Sequence, residues 1–309
     1  MNEHMNRPIV TVVLATYNGE RFLPEQLESL AVQSRRPDRL VLRDDGSTDH
    51  SVELVRAWAD QRGVALQQVT GPRLGPALSF LKALQAAEPA DIFLFCDQDD
   101  VWQPYKIERA LNLVPWGEGA APTLCATRLE VVDEQLTPMR LSPLPNGLSF
   151  ASATCESLLT GCTMAFNAAF RELLVRALPQ NAAMHDWWCY LLATSANGAV
   201  LHFDPTPTVR YRQHGGNALG AGPIGGSALL ARGLRFIGRD SAMRSRQLQE
   251  FAELQGPALA PQASAVLYQL LAAKHGLVPR LRAAFTAPIR RQTFLATLTT
   301  RLALLTNRF

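Results

Sequence analysis

The sequence lacks the features that mark several common protein classes. Its five cysteines are widely spread and contain no Cys-x-x-Cys pair, so we expect reduced packing residues rather than a zinc or disulfide framework. These cysteines are Cys96, Cys125, Cys155, Cys162 and Cys189. No basic region followed by a long apolar stretch opens the chain, which predicts no secretory signal and a cytoplasmic location.

A Gly-x-Gly-x-x-Gly motif is also missing after the first apolar strand, and its absence argues against a nicotinamide-dependent oxidoreductase. A hydrophobic content of 47% over 309 residues excludes wholesale disorder. The length suits one large α/β domain with an appendage.

The net charge of +3 hides a difference between two parts of the chain. Residues 1–227 hold 18 Lys and Arg against 24 Asp and Glu, a net of −6, whereas residues 228–309 hold 12 against 3, a net of +9. The acidic part suits a metal-assisted site. The basic part suits a phosphate-rich surface such as an anionic membrane or nucleic acid.

Strand and helix patterns alternate through the acidic part, which predicts a doubly wound, mainly parallel sheet flanked by helices. Strands are predicted at Ile9–Ala15, Arg39–Asp44, Leu66–Val69 and Ile92–Cys96. Helices are predicted from Pro24, around Val52 to Ala59 with Ser47, Thr48 or Asp49 as the cap, and over Pro76–Ala86.

The later pattern is less regular. It predicts a helix at Pro104–Val114, a strand at Leu124–Val132, a loop at Thr137–Phe150, a strand-like piece at Leu159–Phe166, a helix at Asp186–Ala196 and short strands at Ala199–Phe203 and Thr208–Arg212. A glycine-rich linker at residues 220–226 then marks the boundary to a helical tail.

Polar residues follow each of the first four strands. They are Thr16, Tyr17 and Asn18, then Asp44 and Asp45, then Arg73, then Asp97, Asp99 and Asp100. In a parallel sheet these positions share the edge where ligands bind. Three carboxylates within four residues repel one another unless a cation neutralises them, and this spacing favours Mg²⁺ or Mn²⁺ holding a diphosphate. A solvated acidic turn is the alternative.

Three motifs, Ala15-Thr16-Tyr17-Asn18, Asp44-Asp45-Gly46-Ser47-Thr48-Asp49 and Asp97-Gln98-Asp99-Asp100, together resemble the family 2 glycosyltransferases of the GT-A fold. The resemblance covers about residues 8–217. The runs from Asp97 to Trp102, from His185 to Trp188 and from Tyr211 to Asn217 resemble the rhamnosyltransferase-like branch that builds bacterial surface polysaccharides. The resemblance implies a catalytic domain over residues 1–227, with nucleotide-sugar binding at about 8–115, an acceptor and base region at about 116–217, and a helical tail at 228–309.

For the donor nucleotide, the resemblance implies that Asp44 accepts a hydrogen bond from the imide N3–H of uracil or thymine, which cytosine lacks. Thr16, Tyr17 and Asn18 would line the base pocket, Asp97 would accept from a ribose hydroxyl, and Arg73 is a weaker phosphate candidate. Ordinary packing of Tyr17 and a turn-forming role of Asp44 and Asp45 remain the alternatives.

For the chemistry, the resemblance implies Asp99 as a metal ligand and Asp186 as the base that removes the acceptor hydroxyl proton, with inversion at the sugar. Helix capping is the alternative role of Asp186. His214 would reach the metal or the diphosphate. Four further residues are candidates. Asp100 is a second metal ligand or a helix cap, and Trp102 is a packing residue or a platform for the sugar. His185 is a neighbour in the site or a surface residue, and Arg212 contacts the phosphates.

The tail combines charge with an apolar stripe. Phe294, Leu295, Leu298, Leu302 and Leu305 recur at near-helical spacing, and residues 256–309 hold seven Lys and Arg with no Asp or Glu. No run reaches the roughly 18 apolar residues of a spanning helix. An interfacial helix on an anionic membrane and a helix docked on its own domain or in an oligomer both fit the pattern.

The sequence therefore predicts an inverting, Mg²⁺- or Mn²⁺-dependent glycosyltransferase. The donor expected from the branch resemblance is dTDP-L-rhamnose, with a UDP-hexose as the alternative, and the acceptor is a glycan or lipid-linked glycan. The expected location is cytoplasmic or peripheral on the cytoplasmic face of the inner membrane. A catalytically silent nucleotide-binding scaffold at a membrane is the rival of another class, and nucleic acid is a disfavoured partner of the tail.

Overall fold

The computed structural model describes residues 7–176, 178–215 and 239–309, and these form two compact units. The first unit holds residues 7–144, 159–176 and 198–215, and the second holds residues 145–158, 178–197 and 239–309. The predicted linker and the boundary at residue 227 lie outside the described residues, as do Gly216 and Asn217 of the last motif.

A nine-stranded sheet forms the centre of the first unit. Its strands are β1 (Val10–Thr16), β2 (Arg39–Asp44), β3 (Ala65–Val69), β4 (Ile92–Cys96), β5 (Val101–Trp102), β6 (Thr123–Val132), β7 (Pro138–Leu141), β8 (Ala165–Asn167) and β9 (Val200–Arg212). Their order is β3-β2-β1-β4-β8-β6-β9-β5, with β7 paired to β6.

The first four strands are parallel, as the alternating pattern predicts. Side chains of β1 and β4 are buried on both faces, which explains why these strands read as continuous apolar runs. In the register of β1 and β2, Thr16 lies opposite Asp44. The two polar residues therefore meet at the carboxyl edge of the sheet.

Beyond β4 the sheet is mixed. Strand β8 is antiparallel to β4 and to β6, whereas β6 and β9 are parallel. The prediction of a loop over residues 137–150 was wrong at its start, because β7 pairs antiparallel with β6 there. The two short strands predicted between residues 199 and 212 are one strand, β9, whose register with β6 shifts near Arg128.

Five helices belong to the first unit. They are α1 (Leu23–Ala31), α2 (Ser51–Arg62), α3 (Pro76–Ala86), α4 (Lys106–Leu113) and α6 (Ala168–Arg176). Proline in the first turn starts α1 and α3, and Gly63 ends α2 with a φ of 64°. The N-cap position of α2 is His50, which makes no side-chain cap bond, whereas the predicted cap Asp49 accepts from the N–H of Ser51, the first residue of α2, at 3.1 Å.

Helices make up the described part of the second unit. They are α5 (Phe150–Ala153), α7 (His185–Ser195), α8 (Arg239–Gln255), α9 (Pro261–Ala272), α10 (Leu277–Thr286) and α11 (Phe294–Leu305). Aromatic rings hold this core together, with the Trp188 and Phe251 ring centroids 5.1 Å apart and those of Phe150 and Phe251 6.0 Å apart.

All five cysteines are buried and free, which confirms their prediction as packing residues. Burial raises the pKa of each thiol. Among the described residues, none of the helices combines the length and the apolarity that crossing a bilayer requires.

Candidate functional site

The carboxylate of Asp44 is held by four donors at the end of β2. Its Oδ1 accepts from Thr16 Oγ1 at 2.9 Å and from Ser47 Oγ at 2.5 Å. Its Oδ2 accepts from the backbone N–H groups of Gly46 at 3.0 Å and Ser47 at 2.8 Å. The turn after β2 therefore fixes this carboxylate beside the end of β1.

Tyr17 and Arg73 form a stacked pair next to this turn. The guanidinium carbon of Arg73 lies 3.9 Å from the centroid of the Tyr17 ring, a cation–π distance. The backbone of Tyr17 is fixed from the acidic loop, since its N–H donates to Gln98 Oε1 at 2.8 Å and its carbonyl accepts from Gln98 Nε2 at 3.1 Å. Gln98 thus ties the loop after β1 to the loop after β4.

Asn18 has a φ of 46°, in the left-handed region that asparagine tolerates better than most residues. Its backbone N–H donates to Ser47 Oγ at 2.9 Å, and its Oδ1 accepts from the Thr48 N–H at 2.9 Å. The loops after β1 and β2 are therefore bonded to each other at several points.

A buried ion pair supports the loop that carries Arg73. Arg43 Nη1 lies 2.8 Å from Asp45 Oδ1, and both side chains are buried. Asp45 also accepts from the N–H groups of Leu74 at 2.8 Å and Gly75 at 2.7 Å. Burial opposes its ionisation, but the Leu74 amide and the Arg43 guanidinium still hold the Asp45 pKa below its ordinary value.

The acidic loop brings together three atoms that suit a cation. One carboxylate oxygen of Asp97, one of Asp100 and the sulfur of Cys162 lie within 4.8 Å of one another. Asp100 is fully buried, and its Oδ1 accepts from the Arg212 N–H at 3.1 Å. Its Oδ2 has no hydrogen-bond partner among the described residues. Burial, together with the charges of Asp99 and Asp97, raises the Asp100 pKa well above its ordinary value.

His214 reaches the same loop from the end of β9. Its Nε2 lies 2.8 Å from Asp99 Oδ2, and its ring centroid is 4.6 Å from that of Phe22. A buried carboxylate oxygen, two further carboxylates and an imidazole within one loop region fit a divalent cation such as Mg²⁺ or Mn²⁺. Cys162 is a soft donor and does not suit those ions.

Arg212 is buried and turned toward protein groups. Its Nε donates to the Asp99 carbonyl at 2.9 Å, and its Nη atoms bond the Glu134 carbonyl and the Glu25 carboxylate. The guanidinium thereby joins the acidic loop to α1 and to the turn after β6. Its carbon also lies 4.9 Å from the Phe22 ring centroid.

Trp102 is buried beneath the acidic loop, and its backbone N–H donates to Ser29 Oγ at 3.1 Å. Lys106 Nζ lies 4.7 Å from the centroid of the Trp102 ring. Burial lowers the Lys106 pKa to about 8. These contacts agree with Trp102 as a packing residue rather than a sugar platform.

The second unit carries Asp186 and His185 at the start of α7. Asp186 is 8% exposed, and its Oδ1 accepts from the Trp187 N–H at 2.6 Å. The N-cap of this helix is Met184, so Asp186 does not occupy the cap position. His185 is buried rather than a surface residue, and burial lowers its pKa to about 3.

The structure thus brings the candidates of the first unit into two connected groups. Direct contacts join Thr16 to Asp44 and Tyr17 to Arg73, and others join Asp99 to His214 and Asp100 to Arg212. Sequence reasoning missed four residues that position them, namely Arg43, Ser47, Gln98 and Phe22. Of these four, only Arg43 could have been found from the sequence, because it is a charged residue inside the apolar pattern of β2.

The family model described as "Glycosyl transferase family 2" matches residues 11–174. Among curated proteins, the dTDP-rhamnosyl transferase RfbG of Shigella flexneri is 24% identical over 224 residues, which cover 67% of this chain and 74% of RfbG. Several other curated relatives are matched over about a third of their own length.

Two solved structures share the fold. TarS of S. aureus in complex with UDP-GlcNAc aligns with a TM-score of 0.54 at 14% identity, over 97% of this chain and 91% of that one. The mannosyltransferase PcManGT of Pyrobaculum calidifontis, in complex with GDP-Man and Mn²⁺, aligns with a TM-score of 0.51 at 18% identity, over 97% and 86%. These likenesses confirm the predicted GT-A fold. With more than half of its residues matched by the family model, the chain belongs to glycosyl transferase family 2.

Proposed function

We propose that this glycosyltransferase is inverting and metal-dependent, and that it moves L-rhamnose from dTDP-L-rhamnose to a glycan or lipid-linked glycan in surface polysaccharide synthesis. One observation carries the proposal. A carboxylate at the end of β2, Asp44, and an acidic loop after β4, in which Asp100 carries a buried carboxylate oxygen without a hydrogen-bond partner among the described residues, follow the two parallel strands that flank β1. A nucleoside diphosphate has complementary groups, an imide donor at one end and phosphates that bind cations at the other.

At the base end, Asp44 accepts the imide N3–H of thymine or uracil in this proposal. A carboxylate offers about four lone-pair sites, and four protein donors already occupy them. The amides of Gly46 and Ser47 are fixed, whereas the hydroxyls of Thr16 and Ser47 rotate. The imide therefore replaces one hydroxyl donor, and the stacked Tyr17 and Arg73 form the wall of the base pocket.

At the phosphate end, Asp99 and His214 would hold the cation, Asp97 would bind the ribose and Asp100 would be an additional oxygen donor. When bound, Mg²⁺ or Mn²⁺ neutralises the negative charge that builds on the departing nucleoside diphosphate. Arg212 acts here as a positioning residue, because its guanidinium is committed to Asp99, Glu134 and Glu25 rather than to a ligand.

Asp186 removes the proton of the acceptor hydroxyl in this proposal. Its carboxylate is buried in the first turn of α7, where Oδ1 accepts from the Trp187 N–H. Direct attack by the activated hydroxyl inverts the sugar centre.

The sugar rests on the alignment with RfbG, which spans most of that protein and carries the name of a dTDP-rhamnosyl transferase. A UDP-hexose is the second candidate donor, because TarS, a structural neighbour, was solved with UDP-GlcNAc. Asp44 accepts from thymine and uracil alike, so the base does not separate the two.

Calorimetric titration with dTDP, UDP, GDP and CDP in the presence of Mn²⁺ tests the base end. We expect dTDP and UDP to bind and CDP and GDP to bind more weakly by at least about tenfold, the effect of one unsatisfied polar pair. Turnover with dTDP-L-rhamnose and with UDP-hexoses then identifies the sugar. Equal affinity for CDP would contradict the role of Asp44.

A further inference from the structure

Two helices of the second unit each expose an apolar face. On α10 the exposed residues are Leu277, Val278, Leu281 and Phe285, and on α11 they are Phe294, Leu295, Leu298 and Leu302. Both sets have the spacing i, i+1, i+4, i+8, which places four side chains within an arc of about 100° on a helix. The sequence pattern predicted the second set and missed the first.

These faces are unusually exposed for large apolar side chains. Val278 is 75% exposed, Phe285 is 71% and Phe294 is 84%. Other residues of the same helices are buried, with Ala283 opposite the exposed arc of α10, Ala284 at its border, and Ala303 and Leu304 away from the exposed arc of α11. Helices α10 and α11 pack against each other, and Arg301 Nη1 donates to the Ala284 carbonyl. The orientation of the two exposed faces is thus fixed by a packed pair of helices.

The segment that carries these faces is cationic, although its Arg291 is paired with Glu156. Residues 256–309 contain seven Lys and Arg and no Asp or Glu. On α10, Arg280 and Arg282 lie on either side of the apolar arc by helical spacing, and Arg282 and Arg290 are exposed. An apolar stripe flanked by cations is the pattern of a helix that lies in the plane of a membrane interface.

We propose that α10 and α11 form a membrane-docking surface that inserts its apolar residues at the interface of a bilayer containing anionic lipid. The positive charge of this segment favours an anionic membrane over a second copy of the chain as the partner of this surface. A twofold contact would set the same cationic surface against itself, without an acidic residue from this segment to offset the repulsion. Anionic headgroups instead complement the arginines, and the acyl boundary covers the phenylalanines.

Flotation of the full chain with vesicles tests this surface without any sugar substrate, so its failure is separate from failure of the proposed activity. We expect binding to vesicles of phosphatidylcholine with about one third phosphatidylglycerol, and much weaker binding to phosphatidylcholine alone. The double variant Phe285→Ser/Phe294→Ser should lose at least about tenfold in partition. Arg282→Gln/Arg290→Gln should lose about tenfold or more on the anionic vesicles.

The matched control is Val32→Ser/Met139→Ser, which removes two apolar side chains that are 53% and 62% exposed in the first unit and should leave partition unchanged. Far-UV circular dichroism and the urea denaturation midpoint, equal to those of the wild type, verify that each variant is folded. Equal partition on the two vesicle types, or unchanged partition of the phenylalanine variant, would overturn the proposal. So would a dimer in light scattering that the phenylalanine variant dissociates.

Discussion

The loops of the candidate site in the first unit are held by fixed hydrogen bonds, whereas the second unit exposes apolar faces and cations. In the first unit the loops after β1, β2 and β4 are bonded to one another through Asp44, Ser47 and Gln98. In the second unit, α10 and α11 leave large side chains in solvent amid positive charge. Directional bonds suit a small ligand with few polar groups, and apolar area with charge suits an extended surface. The following predictions test this difference between the two units.

The largest effect is expected from the one polar residue of the second unit that we place in the chemistry. Asp186→Asn should leave dTDP affinity unchanged and lower the transfer rate by about 10²- to 10⁴-fold, because the acceptor hydroxyl loses its base. Calorimetry and a turnover assay measure the two quantities. The control, Asp60→Asn on α2, changes an exposed carboxylate and should alter neither. Wild-type turnover of Asp186→Asn would dismiss Asp186 as the base.

The next effect concerns the buried support of the first unit. Arg43→Met leaves Asp45 charged and buried without its cation, and we expect a loss of about 3–5 kcal/mol in the free energy of unfolding. Arg62→Met breaks the solvent-exposed pair with Glu28 and should cost at most about 1 kcal/mol. Urea denaturation compares the two variants. Similar losses would show that burial of the pair is unimportant.

This ion pair also has a pH dependence of known sign. Because the Asp45 pKa is lowered in the folded state, its contribution is present above about pH 4, the ordinary pKa of Asp, and is lost as acid takes the pH through the lowered value. Arg43→Met should therefore lose less stability than the wild type when the pH falls through this range.

A further prediction concerns Asp99, the carboxylate that we place on the metal. Asp99→Asn should lower the Mn²⁺-dependent part of dTDP affinity by at least about 100-fold, because losing only an outer-shell partner of a metal ligand already costs about 10- to 100-fold, while affinity without metal is unchanged. Asp60→Asn again serves as the control. Undiminished Mn²⁺-linked affinity in Asp99→Asn would remove this residue from the metal site.

The smallest effect concerns the pH dependence of stability that a buried cysteine contributes, which should be the same in the two units. Burial raises the pKa of Cys125 in the first unit and of Cys155 in the second from 9.0 to about 11. Each thiol therefore stabilises the fold below pH 9 and loses that contribution as the pH rises toward 11. Replacing either by Ala should reduce the loss of stability between about pH 7.5 and 10.5 by about 2 kcal/mol. Denaturation under reducing conditions measures it, and an unchanged pH slope would contradict the burial of that thiol.

The local pattern of the first unit was sufficient to predict its parallel strands. The predicted bounds of β2, β4 and α3 match the structure. Turn residues on both sides of an apolar pattern leave little choice of where the element begins and ends. Strand β9 was predicted as two pieces, since Pro205 and Pro207 interrupt its alternation. Strand β7 was missed because Pro138 stands at its first residue, a position that a strand edge tolerates.

The positioning contacts of the site could not be predicted in the same way, because they depend on tertiary structure. Gln98 bonds Tyr17 across 81 residues of sequence, and Phe22 stacks on His214 from the start of α1. Neither residue type signals a site by itself. The exposed face of α10 was missed for a different reason, since Pro279 and two arginines break up its apolar pattern and only the packing of Ala283 and Ala284 shows which side is buried.

A cation shared between the acidic loop and the donor diphosphate is central to the proposed function. Titration of the wild-type protein with dTDP and with thymidine, each with and without Mn²⁺, tests this claim most directly. We predict that Mn²⁺ strengthens dTDP binding by at least about tenfold and leaves thymidine binding unchanged, because thymidine has no phosphate to share the ion. Equal dTDP affinity with Mn²⁺ and with a chelator would contradict the account.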